Sequence, residues 1–200
     1  MLQARSLAKY LRNFSGHRLE KAFFWAPSLQ KLIRRRRWNQ AARAGVQLIE
    51  PRQLQAKLRE GLAYLSRDGK QQVGDYFEFG VFNGTSMICM YQVLQEMKFD
   101  HVRLFGFDSF EGMPDAAATD DGGVWKPGEF AASYEMTKER LAAAGLSPER
   151  AVLIKGWFNE TLNGDTIARL GISHVGAIMV DADIYSSSKQ ALNFCAPLIK

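Results

Sequence analysis

The chain has 200 residues and a mass of 22.5 kDa, with 46% hydrophobic and 24% charged residues. This length and composition fit one domain with a modest extension, and they exclude a disordered tail, a collagen-like chain and a long coiled coil. The formal net charge of +5 is unevenly distributed, because residues 1–70 contain 16 Lys and Arg against 4 Asp and Glu, whereas residues 71–200 contain 10 against 17.

The basic third predicts three helices. Apolar residues recur at helical spacing over 7–14, and Pro27 and the following serine favour a second helix that includes the arginine run 34–37. A leucine stripe after Pro51 predicts a third helix ending near Gly69. We therefore divide the chain into a basic helical extension, 1–50, and a folded domain, 51–200.

The arginine run has two interpretations. It could contact phosphate or an anionic membrane surface, or it could be a solvated helix face that meets water or an acidic partner subunit. No nucleic-acid-binding motif accompanies it, so we expect no nucleic acid partner.

No apolar run is long enough for a transmembrane segment. Cys89 and Cys195 lie in apolar helical patterns, which predicts buried thiols in a reduced, cytoplasmic protein.

From residue 75 onward, short apolar runs alternate with helical patterns. The predicted strands are 75–81, 102–107, 151–155 and 176–180, and the predicted helices are 84–97, 138–145, 160–170 and 186–199. Alternation of this kind predicts right-handed crossovers and a parallel sheet covered by helices on both faces. The fold class is therefore α/β and Rossmann-like.

Ligands of such a sheet bind beyond the carboxyl ends of its strands. The polar, glycine and tryptophan residues at that edge are Gly80, Asn83, Asp108, Ser109, Gly156, Trp157, Asp181 and Asp183. His101 and His174 precede strands and belong to the opposite rim, so neither is a good candidate for a catalytic base.

The segment from Glu78 to Ser86 reads as a strand, a glycine loop and a helix start, with Thr85 or Ser86 able to cap the helix. Phe82 stands where a dinucleotide-binding loop needs a small residue near the pyrophosphate, which argues against NAD or FAD. Asp108, at the end of the second strand, could accept hydrogen bonds from a ribose diol or simply cap a loop.

Four blocks in order resemble the macrocin O-methyltransferase family of class I S-adenosylmethionine-dependent methyltransferases, over about residues 52–200. The blocks are residues 74–80 (GDYFEFG), 106–114 (GFDSFEGMP), 155–162 (KGWFNETL) and 180–187 (VDADIYSS). Members of that family methylate sugar hydroxyls of macrolides. The resemblance implies a methyltransferase that uses S-adenosylmethionine and a small-molecule hydroxyl acceptor.

The resemblance also implies roles for individual residues. Glu78, Gly80 and Gly84 would surround the methionine part of the cofactor, together with the loop and helix start formed by Phe82, Asn83, Thr85 and Ser86. Asp108 would hold the ribose, and the residues beside the adenosine would be Ser109, Phe110, Gly156, Trp157 and Phe158. Asp181 and Asp183 would form the catalytic corner, with Mg²⁺ bound there.

Two carboxylates suit transfer of a methyl group to a hydroxyl. They can bind a hard cation, which lowers the pKa of a bound hydroxyl, and a carboxylate can accept the hydroxyl proton. The alternatives are a metal-dependent glycosyltransferase using Asp181-x-Asp183, and a truncated, non-catalytic protein that binds a cofactor or a partner. For Asp183 a helix-capping role also stays open. The long segment 111–135 is interpreted as a substrate lid.

The family fold continues beyond four strands, so we expect this chain to lack the C-terminal strands. Strand 176–181 should then present an unpaired apolar edge, which favours a homo-oligomer or aggregation. Leu192, Phe194 and Leu198 should be left under-buried on the last helix.

Overall fold

The computed structural model describes residues 25–67 and 73–199. The helices are α1 (Pro27–Arg43), α2 (Pro51–Leu65), α3 (Thr85–Glu96), α4 (Tyr134–Ala143), α5 (Phe158–Thr161), α6 (Gly164–Leu170) and α7 (Tyr185–Cys195). The strands are β1 (Asp75–Phe79), β2 (Leu104–Asp108), β3 (Ala151–Lys155) and β4 (Val175–Val180). Short 3₁₀ turns cover Asp115–Ala118, Asp120–Gly123 and Ala196–Leu198.

The four strands form one sheet in the order β3-β2-β1-β4, and every pair is parallel. This confirms the predicted α/β class, and each predicted strand is present to within two residues of its bounds. The central position of β1 agrees with its burial, since a strand covered on both faces is buried along most of its length, including Glu78. Among the described residues, β4 pairs only with β1 and lies at the edge of the sheet.

Aromatic rings fill one face of the sheet. Phe77 and Phe79 of β1 and Phe107 of β2 pack against Phe194 of α7, with ring centroids 5.6–6.4 Å from that of Phe194. Phe194 and Leu198 are therefore buried. The expectation that both would be under-buried is wrong, because the sheet itself supplies the surface they need. Leu192, which faces away from these rings, is 56% exposed, as expected.

The opposite face packs on α3 and α2. Met87, Val93 and Leu94 of α3 are fully buried there, and Leu62 joins the same cluster from α2. Of the leucine stripe on α2, Leu65 is instead exposed, since the helix ends at that residue. Gly69 and the first predicted helix, 7–14, lie outside the described residues. No helix in the described part of the chain has the length and apolarity needed to cross a membrane.

Helix α1 packs on the segment between β2 and α4. The Trp38 ring lies 4.3 Å from the Phe130 ring and 6.0 Å from the Phe82 ring, measured between centroids. Arg34 is buried and donates from Nε to the carbonyl oxygen of Pro127 at 2.8 Å. The segment 111–135 therefore carries two 3₁₀ turns and a contact with α1, which the sequence did not predict.

Trp38→Ala tests this contact. Removing a buried tryptophan typically costs about 3–5 kcal/mol, so the midpoint of thermal unfolding should fall by roughly 2–4 °C for each kcal/mol lost. Trp25→Ala is the matched control, because Trp25 is 69% exposed. Calorimetry of both variants measures the difference, and equal midpoints would show that α1 does not pack as described.

Candidate active site

The loops that follow all four strands meet at one edge of the sheet. The Gly80 N–H donates to the carbonyl oxygen of Phe107 at 2.9 Å, and the Asp181 N–H donates to that of Phe79 at 2.9 Å. Gly80 has φ of +92°, and a Cβ there would overlap the Asp181 carbonyl oxygen. Glycine at position 80 thus allows the backbones after β1 and β4 to touch.

Asp108 connects the first two of these loops. Its Oδ2 accepts the N–H groups of Val81 and Phe82 at 2.8 and 2.9 Å, and its Oδ1 accepts that of Phe110 at 2.6 Å. Desolvation raises the pKa of Asp108, although these three backbone hydrogen bonds lower it. A carboxylate has about four acceptor positions, so one remains for a ligand hydroxyl.

The glycine loop holds its shape through its own side chains. The N-cap of α3 is Gly84 in the left-handed conformation, with no side-chain cap. The prediction that Thr85 or Ser86 caps this helix is therefore wrong. Thr85 Oγ1 instead donates to Asn83 Oδ1 at 2.8 Å, and Asn83 Nδ2 donates to the carbonyl oxygen of Val46 at 3.0 Å. Phe82 has φ of +52°.

Glu78 is fully buried on β1 and has a partner on each oxygen. Tyr76 donates its hydroxyl to Oε2 and Ser86 donates its Oγ–H to Oε1, both at 2.6 Å. Desolvation raises the pKa of Glu78 to about 8, although both hydrogen bonds lower it; the negative charges of Asp181 and Asp108 raise it further. Glu78 thus stays largely protonated near neutral pH unless a cation approaches.

Asp181 and Asp183 follow β4 and reach solvent. The protein around them still removes enough water to raise the pKa of both carboxyls, that of Asp183 to about 7 with contributions from Asp181 and Glu129. Asp183 does not cap α7: the N-cap is Ile184, and Asp120 Oδ2 accepts the Ser186 N–H at 2.9 Å. No group of three or more potential metal ligands occurs among the described residues.

The residues expected beside an adenosine have different contacts from one another. Phe110 packs edge-on against Tyr134 at 5.2 Å, and Ser109 Oγ donates to the Gly112 carbonyl oxygen at 3.2 Å. Gly156, with φ of +147°, and Trp157 come directly after β3 at the expected edge. Phe158, which follows Trp157, packs on Phe79 at 5.7 Å between ring centroids.

Sequence reasoning missed four contributors to this site. Tyr76 fixes Glu78, Asp120 caps α7, buried Glu129 acts on Asp183, and Thr137 Oγ1 donates to the Phe82 carbonyl oxygen at 3.0 Å. Only Tyr76 had a usable signal, since it shares a strand with Glu78 two residues away and so faces the same side. The other three act across long sequence separations.

A family model described as macrocin-O-methyltransferase (TylF) matches residues 11–197. A curated relative from Streptomyces olivaceus, an 8-demethyl-8-(2,3-dimethoxy-alpha-L-rhamnosyl)-tetracenomycin-C 4'-O-methyltransferase, is 33% identical over 131 residues, which cover 62% of this chain and 48% of that protein. A demethyldecarbamoylnovobiocin O-methyltransferase from Streptomyces niveus is 26% identical over 137 residues, 66% of this chain and 50% of that protein. The chain thus spans about half the length of these relatives.

Two solved structures share the fold. The O-methyltransferase NovP superposes with a TM-score of 0.64 at 23% identity, over 76% of this chain and 62% of that chain. The calicheamicin methyltransferase CalS11 superposes with a TM-score of 0.61 at 23% identity, over 99% of this chain and 73% of that chain. Both confirm the methyltransferase-type α/β architecture.

The buried Glu78 predicts a specific pH dependence of stability. Its folded-state pKa of about 8 exceeds the value of 4.5 for the free side chain, so its contribution is complete below pH 4.5 and is lost as the pH rises through 8. Between these values the slope is at most about 1.4 kcal/mol per pH unit.

Urea unfolding at several pH values between 5 and 9 measures this effect. The free energy of unfolding of the wild type, relative to that of Glu78→Gln, should fall with rising pH, because glutamine cannot ionise. Glu139→Gln, at an exposed position, controls for the loss of one charge. A pH-independent difference between wild type and Glu78→Gln would contradict the protonated, buried state.

Proposed function

Because this chain belongs to the macrocin-O-methyltransferase family, we propose that it binds S-adenosylmethionine and methylates a hydroxyl oxygen of a sugar or another small natural product. The observation that carries the proposal is the family match over residues 11–197, joined to one edge of the sheet where Asp108, the glycine loop and Asp181 meet. The Phe82 side chain in that loop favours a ligand without a pyrophosphate over a nicotinamide or flavin dinucleotide.

The cofactor would lie across the ends of β1 and β2. Its ribose would take the remaining acceptor position of Asp108, and its adenine would lie near Phe110, Gly156 and Trp157. Its methionine part would lie near Gly80 and Glu78. S-adenosylmethionine supplies, when bound, an electrophilic methyl group on a positively charged sulfur. A cation near Glu78 would stabilise the ionised form of that carboxyl, which desolvation otherwise disfavours.

The acceptor hydroxyl needs to lose a proton, and the carboxylates after β4 could take it. Asp183, with a pKa raised to about 7, is well matched to a proton transfer near neutral pH. We propose that Asp181 and Asp183 also bind Mg²⁺, because two carboxylates two residues apart after one strand suit a hard cation; the bound cation would lower the pKa of both carboxyls. When bound, Mg²⁺ would lower the pKa of a coordinated hydroxyl. Water and acceptor oxygens would complete its shell, since the described residues supply only this pair.

The class of acceptor comes from the relatives. The names of the two relatives describe O-methylation of a rhamnosyl-tetracenomycin and of a demethyldecarbamoylnovobiocin. A glycosylated natural product is therefore the acceptor class that we propose for this chain. The match to an O-methyltransferase family also favours methyl transfer over the glycosyl transfer that Asp181-x-Asp183 would otherwise permit.

We propose three further properties on narrower support. Buried free thiols at Cys89 and Cys195 favour a reducing, cytoplasmic compartment. The edge position of β4 favours pairing with a second copy of the chain. Residues 51–200 would form the cofactor-binding domain, with 1–50 as a basic extension that packs on it through α1.

Asp108→Ala tests the cofactor assignment. It removes the ribose acceptor and leaves three backbone N–H groups without their carboxylate. Loss of a charged hydrogen bond costs on the order of 1.5–3 kcal/mol, so the affinity for S-adenosylhomocysteine should fall about 10–100-fold. Titration calorimetry measures it, with the exposed Asp165→Ala as control. Unchanged affinity would remove Asp108 from the cofactor site.

Asp183→Asn tests the metal assignment. A ligand that binds only the folded state raises the unfolding midpoint, so about 10 mM Mg²⁺ should stabilise the wild type and should stabilise Asp183→Asn less. Asp165→Asn again serves as the exposed control. In turnover assays, excess chelator should stop methyl transfer and added Mg²⁺ should restore it. Full turnover in excess chelator would leave Asp181 and Asp183 as bases.

A further inference from the structure

The arginine run of α1 is divided between two sides of the helix. Arg34 and Trp38, one turn apart, are buried against the segment between β2 and α4. Arg35, Arg36 and Arg43 instead line a cavity of about 480 Å³. Residues four apart on a helix share a face, which places Arg35 and Arg43 on one side over two turns. The packing of Trp38 therefore fixes which arginines reach the cavity.

The cavity carries an excess of positive charge. Lys155, at the end of β3, joins the three arginines, and Glu135 is the one acidic residue among the described lining residues. Arg35 Nη1 lies 3.4 Å from Glu111 Oε2, a half-exposed pair. No carboxylate in the described part of the chain pairs with Arg36, Arg43 or Lys155. Several unneutralised cations around a concavity attract an anion.

The first turn of α4 adds to the positive electrostatic potential of the cavity. Ser133, Tyr134 and Glu135 line the cavity at the amino end of this ten-residue helix, where backbone N–H groups and the helix dipole favour negative charge. Arginine and lysine, together with such a helix end, are the groups that hold phosphate oxygens in proteins.

Aromatic rings form another part of the wall. Phe110 and Tyr134 pack edge to face at 5.2 Å, and Lys155 Nζ lies 5.9 Å from the Tyr134 ring centroid. Asn39 also lines the cavity, and its Oδ1 has no hydrogen-bond partner among the described residues.

Size and charge indicate which kind of ligand fits. A volume of about 480 Å³ falls in the range of small-molecule sites, roughly 300–1,000 Å³, and a concave site suits a small molecule better than a membrane or a nucleic acid duplex. Residues 1–24 are a poor occupant on charge grounds, because they contain five basic residues and one acidic residue.

We propose that this cavity is a binding site for an organic phosphate. Its phosphate group would contact Arg36, Arg43 and Lys155, and a ring of the same ligand would pack on Phe110 and Tyr134. The site borders the proposed adenine position, with which it shares Phe110, but it includes neither Asp108 nor Asp181. The inference does not depend on methyl transfer.

Titration calorimetry on the full chain tests the proposal with phenyl phosphate, inorganic phosphate and benzyl alcohol as probes. Phenyl phosphate should bind most tightly, inorganic phosphate more weakly, and benzyl alcohol not measurably. Raising NaCl to about 0.5 M should weaken phenyl phosphate binding, because salt screens exposed charges. Equal affinity for phenyl phosphate and inorganic phosphate would overturn the assignment to an organic ligand, and absence of phenyl phosphate binding would overturn the site.

Variants within the same arginine run provide the matched control. Arg36→Ala and Arg43→Ala should each weaken phenyl phosphate binding about tenfold or more, whereas Arg37→Ala, which does not line the cavity, should leave it nearly unchanged. Equal effects of Arg36→Ala and Arg37→Ala would show non-specific attraction and overturn the site.

A parallel titration with S-adenosylhomocysteine separates this proposal from the proposed function. S-adenosylhomocysteine should bind the Arg36→Ala variant as tightly as the wild type. If its affinity falls together with that for phenyl phosphate, the cavity is part of the cofactor site and the proposal is wrong. If S-adenosylhomocysteine binds normally but phenyl phosphate does not bind even the wild type, the methyltransferase proposal stands and the proposal of an organic phosphate site fails.

Discussion

The candidate site depends on one carboxylate that gathers three backbone N–H groups. Asp108 ends β2, and its oxygens reach both into the loop after β1 and back to Phe110 in its own loop. A carboxylate in this position offsets the cost of placing several N–H groups where no strand or helix pairs them. Phe82 and Phe110 both have positive φ, so the loops it holds are ones that the chain would otherwise disfavour. Asp108 thereby fixes the path of the loop after β1, the loop in which Gly80 approaches the Asp181 backbone.

Much of the fold was readable from the sequence because the strands of a parallel sheet are covered by helices on both faces and are mostly apolar, although β1 also carries Asp75 and Glu78. The runs that became β1 to β4 stand out for that reason, and the C-terminal-edge rule then placed Asp108, Asp181 and Asp183 correctly. The bounds of α4 were four residues off at the start, since Ser133 caps the helix through its side chain before any apolar periodicity begins. The segment 160–170 was predicted as one helix but breaks into two, because Asn163 caps a new helix there.

The side-chain partners were much less readable. Local sequence suggested that Ser86 caps α3, yet the Ser86 hydroxyl donates to the buried Glu78 carboxyl on β1 instead. The cap of α7 comes from Asp120, 66 positions away, and nothing in either segment marks the pairing. Likewise, the arginine run read as one uniform face, whereas the burial of Trp38 assigns its members to different surroundings. Such pairings depend on tertiary proximity, which periodicity and spacing do not report.

The bond between Asp120 and the first turn of α7 has an energetic consequence for anything that enters beside Asp183. Asp120 belongs to the segment between β2 and α4. A ligand that displaces this segment therefore also breaks the hydrogen bond between Asp120 and the Ser186 N–H, which caps α7. Loss of a helix cap costs about 0.5–2 kcal/mol, which corresponds to a roughly 2- to 30-fold weaker association. A molecule that leaves Asp120 in place avoids this penalty. A ligand that is bulky on the Asp120 side would therefore bind more weakly than one that leaves the Asp120–Ser186 hydrogen bond intact.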